Sequence, residues 1–371
     1  MSRLYRLKRL SDRLENSLLT AYNENVFSAG SVSVLYPDEK RLKTLIKVIG
    51  ETGGTINEKV SRHSLYDLAS LTKPIATVLS ILLLIRKGMI DFKTTIGSVF
   101  TDEAVSDKLA EKTIIDLLSH KAGLVAHRQF WPDIYPLAAD QKVAWLRKKL
   151  LLELVAEQPE KHCYSDLGYL LLGFLIEKVT GQSLDSFFHS QIAEPLGVQN
   201  TIFYPVNGPE QIAESVVATG RCPWLDTSLQ GIVHDDNCRA LGGVAGHAGL
   251  FGSISAVTRI CEELLRLMTG KPSRLGLTPA LFDKCRNRIG RSDWTAGFML
   301  PSRYGSSSGR YFSTRSIGHL GFTGTSFWLD PARQLAVIIL TNRVLMGENQ
   351  RPIKKMRPLV HNTVIQTLFG R

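Results

Sequence analysis

Several features that would classify this 371-residue chain at a glance are missing from it. Cysteine is scarce: five residues, at 163, 222, 238, 261 and 285, an odd number with no C-x-x-C spacing. That excludes a disulfide framework or zinc knuckle and leaves buried, reduced thiols as the expectation. Long apolar runs are absent too. The longest, Ile75–Ile85, carries Thr77 and Ser80 and falls short of the roughly 20 residues a bilayer requires, so no stable membrane insertion is expected. The basic N-terminus MSRLYRLKRLSDRLENSLLTAY has neither an apolar h-region nor a small-residue cleavage site, and a cytoplasmic location is expected on that ground. No repeat, low-complexity tract, P-loop, G-x-G-x-x-G or H-E-x-x-H spacing occurs. No cofactor and no metal is therefore expected. His234, Asp235 and His247 lack ligand spacing and read as loop hydrogen bonding or pocket lining.

What remains is an ordinary globular balance, 44% hydrophobic and 21% charged, with a formal net charge of +11. The cations are spread along the chain. Those at Arg3–Arg13, Arg147–Lys149 and Lys354–Arg357 read as solvated helix faces. Nucleic acid is not an expected partner; a small-molecule or peptide substrate is, and the oligomeric state stays open.

Leu4, Leu7, Leu14, Leu18 and Tyr22 recur at helical spacing, which predicts an amphipathic helix packed on the body. Strand patterns at Phe27–Tyr36 and Leu45–Gly50, with Pro37-Asp38 between them, predict a hairpin. Ser70–Lys87 reads as a buried helix ended by Gly88. From about 90 to 235 the pattern is mostly helical, including Thr113–His120, Val143–Glu157 and Asp166–Thr180. Strand patterns return at Thr295–Leu300, Ser316–Leu329 and Leu335–Thr341, and a helix over Arg357–Leu368 closes the chain. The expected fold is therefore α/β (α+β): an antiparallel sheet built from both chain ends (1–70 and 236–371), flanked by helices, with a mostly helical domain inserted at 71–235.

Three short motifs carry chemistry. Ser70-Leu71-Thr72-Lys73 is an S-x-x-K tetrad where a loop meets the apolar helix. The i, i+3 spacing puts Ser70 and Lys73 on one face, and Pro74 is tolerable in a first turn. A capping serine with a solvated lysine is the bland alternative. Tyr164-Ser165-Asp166 precedes the run LGYLLLGFLIEKVTG; Ser165 or Asp166 can cap that helix while Tyr164 reaches a cleft and Asp166 meets Lys73. His319-Leu320-Gly321 lies in GHLGFTGTSFWLDP, where Gly321 and Gly324 permit close approach of a ligand to the strand. Gly305-Ser306-Ser307-Ser308-Gly309 matches G-x-S-x-G but lies in a Ser/Gly loop and reads as a decoy. His120 reads as a structural hydrogen-bonding group.

In this order the motifs resemble those of the serine β-lactamase and penicillin-binding-protein superfamily, closest to its class C-like branch of esterases and D-amino-acid peptidases. IIDLLSHKAGL (114–124), YSDLGYLLLGFLIEKVTG (164–181) and VHDDNCRALGGVAGHAGLF (233–251) resemble that branch as well. The resemblance implies a β-lactamase/transpeptidase-like fold and an acyl-enzyme on Ser70. It also implies Lys73, Tyr164, Asp166 and His319 as catalytic groups, an oxyanion hole from the amides of Ser70 and Phe322, and Gly321 and Thr323 at the substrate. The family's asparagine is Asp166 here, and its K-T-G lysine is His319, which holds charge only part of the time near neutral pH. Reading Ser165-Asp166-Leu167 as S-D-N would leave Leu167 in a polar place. Either Tyr164 or Lys73 can serve as base; nearby Lys73 and His319 are expected to lower the tyrosine pKa and favour Tyr164. Hydrolysis of an ester or a D-amino-acid amide, muropeptide-derived in one version, is the leading expectation. β-Lactamase-like activity and a non-catalytic ligand-binding relative are the alternatives.

Overall fold

The computed structural model describes residues 3–39, 41–153, 155, 163–206, 215–290, 292–347 and 349–370. Along the chain come helix α1 (Arg3–Asn23), strands β1 (Ala29–Asp38), β2 (Arg41–Gly50) and β3 (Leu65–Asp67), then helix α2 (Ala69–Arg86). The helical region follows with α3 (Ile114–Leu118), α4 (Ala139–Leu151) and α5 (Asp166–Thr180). After β4 (Ile202–Phe203) and α6 (Asp236–Ala240) come β5 (Phe251–Ser253) and α7 (Ile254–Met268). The chain closes with β6 (Ile317–Leu320), β7 (Ser326–Asp330), β8 (Leu335–Thr341) and α8 (Arg351–Phe369). Part of the helix expected to end at Glu157 lies outside the described residues.

The sheet is antiparallel, five-stranded and ordered β2-β1-β8-β7-β6, so both chain ends do build it. Its period-2 alternation divides the core. Val32 and Val34 of β1 with Leu335, Val337 and Ile339 of β8 face α1 and α8. Ala336, Ile338 and Leu340 face the opposite side, where one apolar cluster continues through α7 and α2 into the helical region. Polar residues on that side of β1 are paired: Ser31 Oγ lies 2.8 Å from Tyr66 Oη, and Thr258 Oγ1 donates to Ser33 Oγ at 2.8 Å. The run at Ile75–Ile85 belongs to an 18-residue helix, long and apolar enough for a membrane by composition, but 78% buried inside the molecule.

Two expected strands differ. Thr295–Leu300 makes only isolated bridges, Trp294 to Met299 and Met299 to Gly318. Gly297 turns the backbone there with φ 98°, and a Cβ at that position would lie 2.3 Å from Val78 Cγ2. Ser316–Leu329 is not one strand but the antiparallel pair β6 and β7, folded back through residues 321–325.

Candidate active site

Ser70 sits in the first turn of α2, which starts as 3-10 helix over Ala69–Leu71, widens to π-helix over Lys73–Val78 and becomes regular from Leu79. The wide turn follows from Pro74, whose ring would meet the carbonyl of Ser70 in a regular helix. Just before the serine, Ala69 is held at φ 48°, a conformation costly for a residue with a Cβ. Asp67 stabilises it: its Oδ1 accepts from the Ala69 amide at 2.8 Å and its Oδ2 from the His234 amide at 2.7 Å. Sequence reading did not select Asp67, because a carboxylate at a turn has no spacing signature of its own.

Lys73 is fully buried, and its Nζ donates to Ser70 Oγ at 3.0 Å, Asp166 Oδ1 at 2.7 Å and His247 O at 3.3 Å. Burial pushes its pKa down, but the Asp166 carboxylate and Tyr164 push harder in the other direction, so Lys73 is held as an ammonium. Asp166 opens α5 behind the cap residue Ser165, whose Oγ accepts from the Gly168 amide. Burial would raise the Asp166 pKa, yet Lys73, His127 and His247 together hold it well below the usual carboxylate range. Its second oxygen, Oδ2, lies 3.5 Å from His127 Nδ1, and that contact raises the half-buried imidazole's pKa.

Tyr164 is stacked among rings, with His120 at 4.5 Å, Trp294 at 4.9 Å and His319 at 6.1 Å between centroids. His120 Nδ1 also accepts from the Ser165 amide at 3.1 Å, fixing the junction that presents the phenol. Lys73 Nζ lies 4.9 Å from the Tyr164 ring centroid. The phenol interacts with both Lys73 and Ser70, which lower its pKa, but burial is the larger effect and the net direction is upward. This corrects the expectation of a lowered tyrosine pKa: desolvation of a phenolate outweighs the ammonium beside it.

His319 also differs from expectation. It is buried behind Tyr164 and Trp294 and does not line the cleft. Its Nδ1 is 2.9 Å from the Leu320 carbonyl, and its Nε2 has no hydrogen-bond partner among the described residues. Burial, then the charge of Lys73, drive its pKa well below the ordinary histidine value, so it is neutral and not a carboxylate anchor. Thr323 is turned away from substrate as well: fully buried, its Oγ1 donates to Asp67 O at 2.8 Å. Together with the Thr325 Oγ1 bond to Leu68 O at 3.0 Å, this clamps the 321–325 turn onto the backbone leading to Ser70. Gly321 lines the cleft at that clamp, where a Cβ would lie 2.0 Å from Thr325 Oγ1 and 2.8 Å from Leu68 O. The amides of Ser70 and Phe322 have no backbone acceptor among the described residues. The Phe322 ring is framed by Arg343, 4.6 Å from its centroid, and by the His234 ring at 5.7 Å.

These groups open onto a cleft of about 1090 Å³ lined by Ser70, Tyr164, Asp166, Gly321 and Phe322 among others. A further histidine–carboxylate pair, His247 Nε2 to Asp235 Oδ1 at 3.0 Å, forms part of its wall. The Ser/Gly loop 305–309 supplies wall residues Gly305 and Ser307 only.

An antiparallel sheet built from both ends of a chain, a helical region, and a cleft between them define the serine β-lactamase-fold class of hydrolases. Within that class the chain belongs to the β-lactamase family, whose model matches residues 27–356. Proteins of Salmonella agona and Escherichia coli O157:H7, each named as a candidate D-alanyl-D-alanine carboxypeptidase, are 32% identical over 311 and 317 residues. The matches cover 76% and 77% of this chain and 70% of each relative. Among solved structures, EstCE1, a hydrolase with promiscuous acyltransferase activity, gives a TM-score of 0.73 at 20% identity, covering 95% of this chain and 99% of its own. The octameric penicillin-binding protein homologue from Pyrococcus abyssi gives 0.70 at 17% identity, covering 97% and 77%. At these identities the structural likenesses speak for the fold.

Proposed function

We propose that the chain hydrolyses an ester or a D-amino-acid amide, of muropeptide origin in the peptide case, through an acyl-enzyme on Ser70. The observation that carries this reading is the Ser70 hydroxyl at the floor of an open cleft, 3.0 Å from a buried lysine ammonium and in contact with the Tyr164 phenol. The names of the curated relatives support the amide, and EstCE1 supports the ester.

A serine hydroxyl attacks only as its proton leaves. Because Tyr164 is a phenol at rest, it acts as a two-way relay rather than a preformed phenolate. As Ser70 Oγ bonds to the carbonyl carbon, its proton passes to Tyr164 Oη, and the phenol's own proton passes to the departing oxygen or nitrogen. The Lys73 ammonium stabilises the negative charge that builds on both oxygens during transfer. The Ser70 and Phe322 amides receive the oxyanion. Water then repeats the sequence in reverse on the acyl-enzyme. With His319 neutral, the permanent cation that a β-lactam carboxylate would meet at that position is missing, which disfavours the penicillin-hydrolysing reading.

A fluorophosphonate probe should label the protein at one site, and Ser70→Ala should abolish the label. Intact mass measured after exposure to p-nitrophenyl esters, D-Ala-D-Ala peptides and β-lactams identifies the acyl group retained. Stoichiometric labelling of Ser70→Ala would assign the nucleophile elsewhere; no labelling of the wild-type chain would leave a ligand-binding relative.

A further inference from the structure

The cleft carries an aromatic wall that the chemistry above does not use. Trp131 lines it, four residues along the chain from His127 and so within about 14 Å of it. The indole stacks on Trp224, with centroids 5.0 Å and planes 12° apart. Trp224 is fixed in turn. Its Nε1 donates to Asp236 Oδ1 at 3.0 Å, the Arg239 guanidinium lies 4.7 Å from its ring centroid, and Tyr135 meets it edge-on at 4.6 Å. The backbone beneath Trp131 is pinned as well. The amides of Phe130 and Trp131 both donate to Asn237 Oδ1, at 2.8 and 2.9 Å, while Asn237 Nδ2 donates to Arg128 O at 2.7 Å.

Trp131 is thus a preorganised flat surface, half-buried, with a second indole behind it. Trp131 also packs on the main apolar cluster, while the part of it that lines the cleft is held in place through Trp224 and the Asn237 bonds beneath it. Its π face carries partial negative charge and favours a flat face of weakly positive C–H bonds. The cleft is also lined by Gln129, two residues before Trp131, by Asp236, bonded to Trp224, and by Arg221, paired with Asp226, and these offer donors and acceptors to groups projecting from the edge of such a ring. An alkyl chain would use the indole but return no hydrogen bond to those polar groups as it displaced their water. A cation would meet the Arg221 guanidinium in the cleft and find Asp236 already paired with Arg239. A pyranose satisfies both demands, with axial C–H bonds on the indole and equatorial hydroxyls toward the polar rim.

We propose that the Trp131 end of the cleft is a sugar subsite that holds one pyranose ring of a glycosylated substrate while its scissile bond lies at Ser70. The second half of that statement rests on the hydrolase reading; the first does not. A cleft of about 1090 Å³ exceeds what a lone acyl group fills and has room for a sugar joined to a short peptide.

The test is calorimetric titration of the full chain carrying Ser70→Ala with N,N′-diacetylchitobiose. Binding is expected, weakened by about tenfold or more in a Trp131→Ala background and largely restored by Trp131→Phe, which keeps a ring on Trp224. Unfolding midpoints matched among the variants exclude loss of fold as the cause. Absence of binding, or equal binding with Trp131→Ala, overturns the proposal. Trp131-dependent binding of N-acetyl-D-phenylalaninamide in place of the disaccharide would reassign the surface to an aromatic group and also overturn it. Because no turnover is read, Trp131-dependent sugar binding in a chain whose Ser70 takes no probe would remove the hydrolase reading alone.

Discussion

Two basic side chains are buried on either side of Tyr164, and they have opposite charge states. Lys73 keeps its proton although it is fully buried; His319, as deeply buried, has lost its own. The difference is the counter-ion. Lys73 faces the Asp166 carboxylate at 2.7 Å, whereas the ring of His319 faces a backbone carbonyl, two aromatic rings and the positive charge of Lys73 itself. A buried ion survives only where a partner offsets its lost hydration, and the Asp166 carboxylate is bonded to the lysine. The site is therefore asymmetric across the phenol, with an ion pair on the helix side and a neutral imidazole on the strand side.

The strongest way to break that asymmetry is to remove the lysine. Lys73→Met leaves Asp166 with only the imidazoles of His127 and His247 to compensate it among the groups that act on it now. Denaturant unfolding should show a loss of about 3 kcal/mol, at the low end for a broken buried pair because Asp166 reaches the cleft. Turnover should fall by several orders of magnitude. Adding Asp166→Asn should recover stability without activity; an unchanged unfolding midpoint in Lys73→Met would mean the carboxylate does not depend on the ammonium. Next in size is Tyr164→Phe, which keeps the ring stack and removes only the relay oxygen. It should lower kcat by about 10²–10⁴ with little change in stability, and near-normal turnover would take the phenol out of the reaction.

The helix side of the site was legible in the sequence, and the strand side was not. Ser70 and Lys73 are three residues apart on one helix, so a local spacing rule is enough to bring them together. Tyr164 and Asp166 stand at the start of an apolar helix whose cap, Ser165, is also a local signal. Thr323 departs from expectation because 316–329 reads as one continuous strand, whereas His319, ahead of the turn, is covered by Tyr164 and Trp294 from distant parts of the chain. The chain in fact reverses at 321–325, so the in–out alternation restarts there, and Thr323 points to Asp67 O rather than to the cleft. His127 and the His247 carbonyl act on Asp166 and Lys73 from far away in sequence, and no spacing rule reaches that far, whereas the lining role expected of His234, Asp235 and His247 agrees with the cleft wall. The sheet itself was legible, since Val32 and Val34 at one end and Leu335, Val337 and Ile339 at the other keep strict period 2.

The neutral side carries a consequence for stability in acid. A histidine whose folded pKa lies below its unfolded value costs nothing when both states are neutral. As pH falls below about 6.5, the unfolded chain takes up a proton that the fold refuses. His319 behaves this way, and so does His361, buried beside Ser307 O and pushed down by burial to about 4. His361 alone should remove about 3 kcal/mol of unfolding free energy between pH 7 and 4. Asp166 has the other sign: its lowered pKa gives stability that is complete above the unfolded carboxylate value and is lost only as pH falls further. Urea unfolding at stepped pH should therefore show a decline that begins near pH 6.5, where the imidazoles of the unfolded chain take up protons. His361→Gln should flatten the first part of it; a curve level down to about pH 4.5 would place these imidazoles in water.

The smallest effect expected concerns substrate binding. A charged imidazole at position 319 would hold an acidic substrate below its pKa and release it above, so KM would rise as pH passes about 6.5. A buried neutral imidazole has no proton to lose over that range. His319 should therefore contribute nothing to the pH dependence of KM for a carboxylate-bearing substrate between about pH 5.5 and 8, and His319→Gln should change KM by less than about threefold across that range. The same substitution should still weaken the packing behind Tyr164, because the ring backs both that phenol and Trp294. Its signature would be a modest fall in kcat without a change in the pH dependence of KM. A KM that climbs through neutrality in the wild-type chain and not in His319→Gln would restore the charge to the strand side and make the two halves of the site alike.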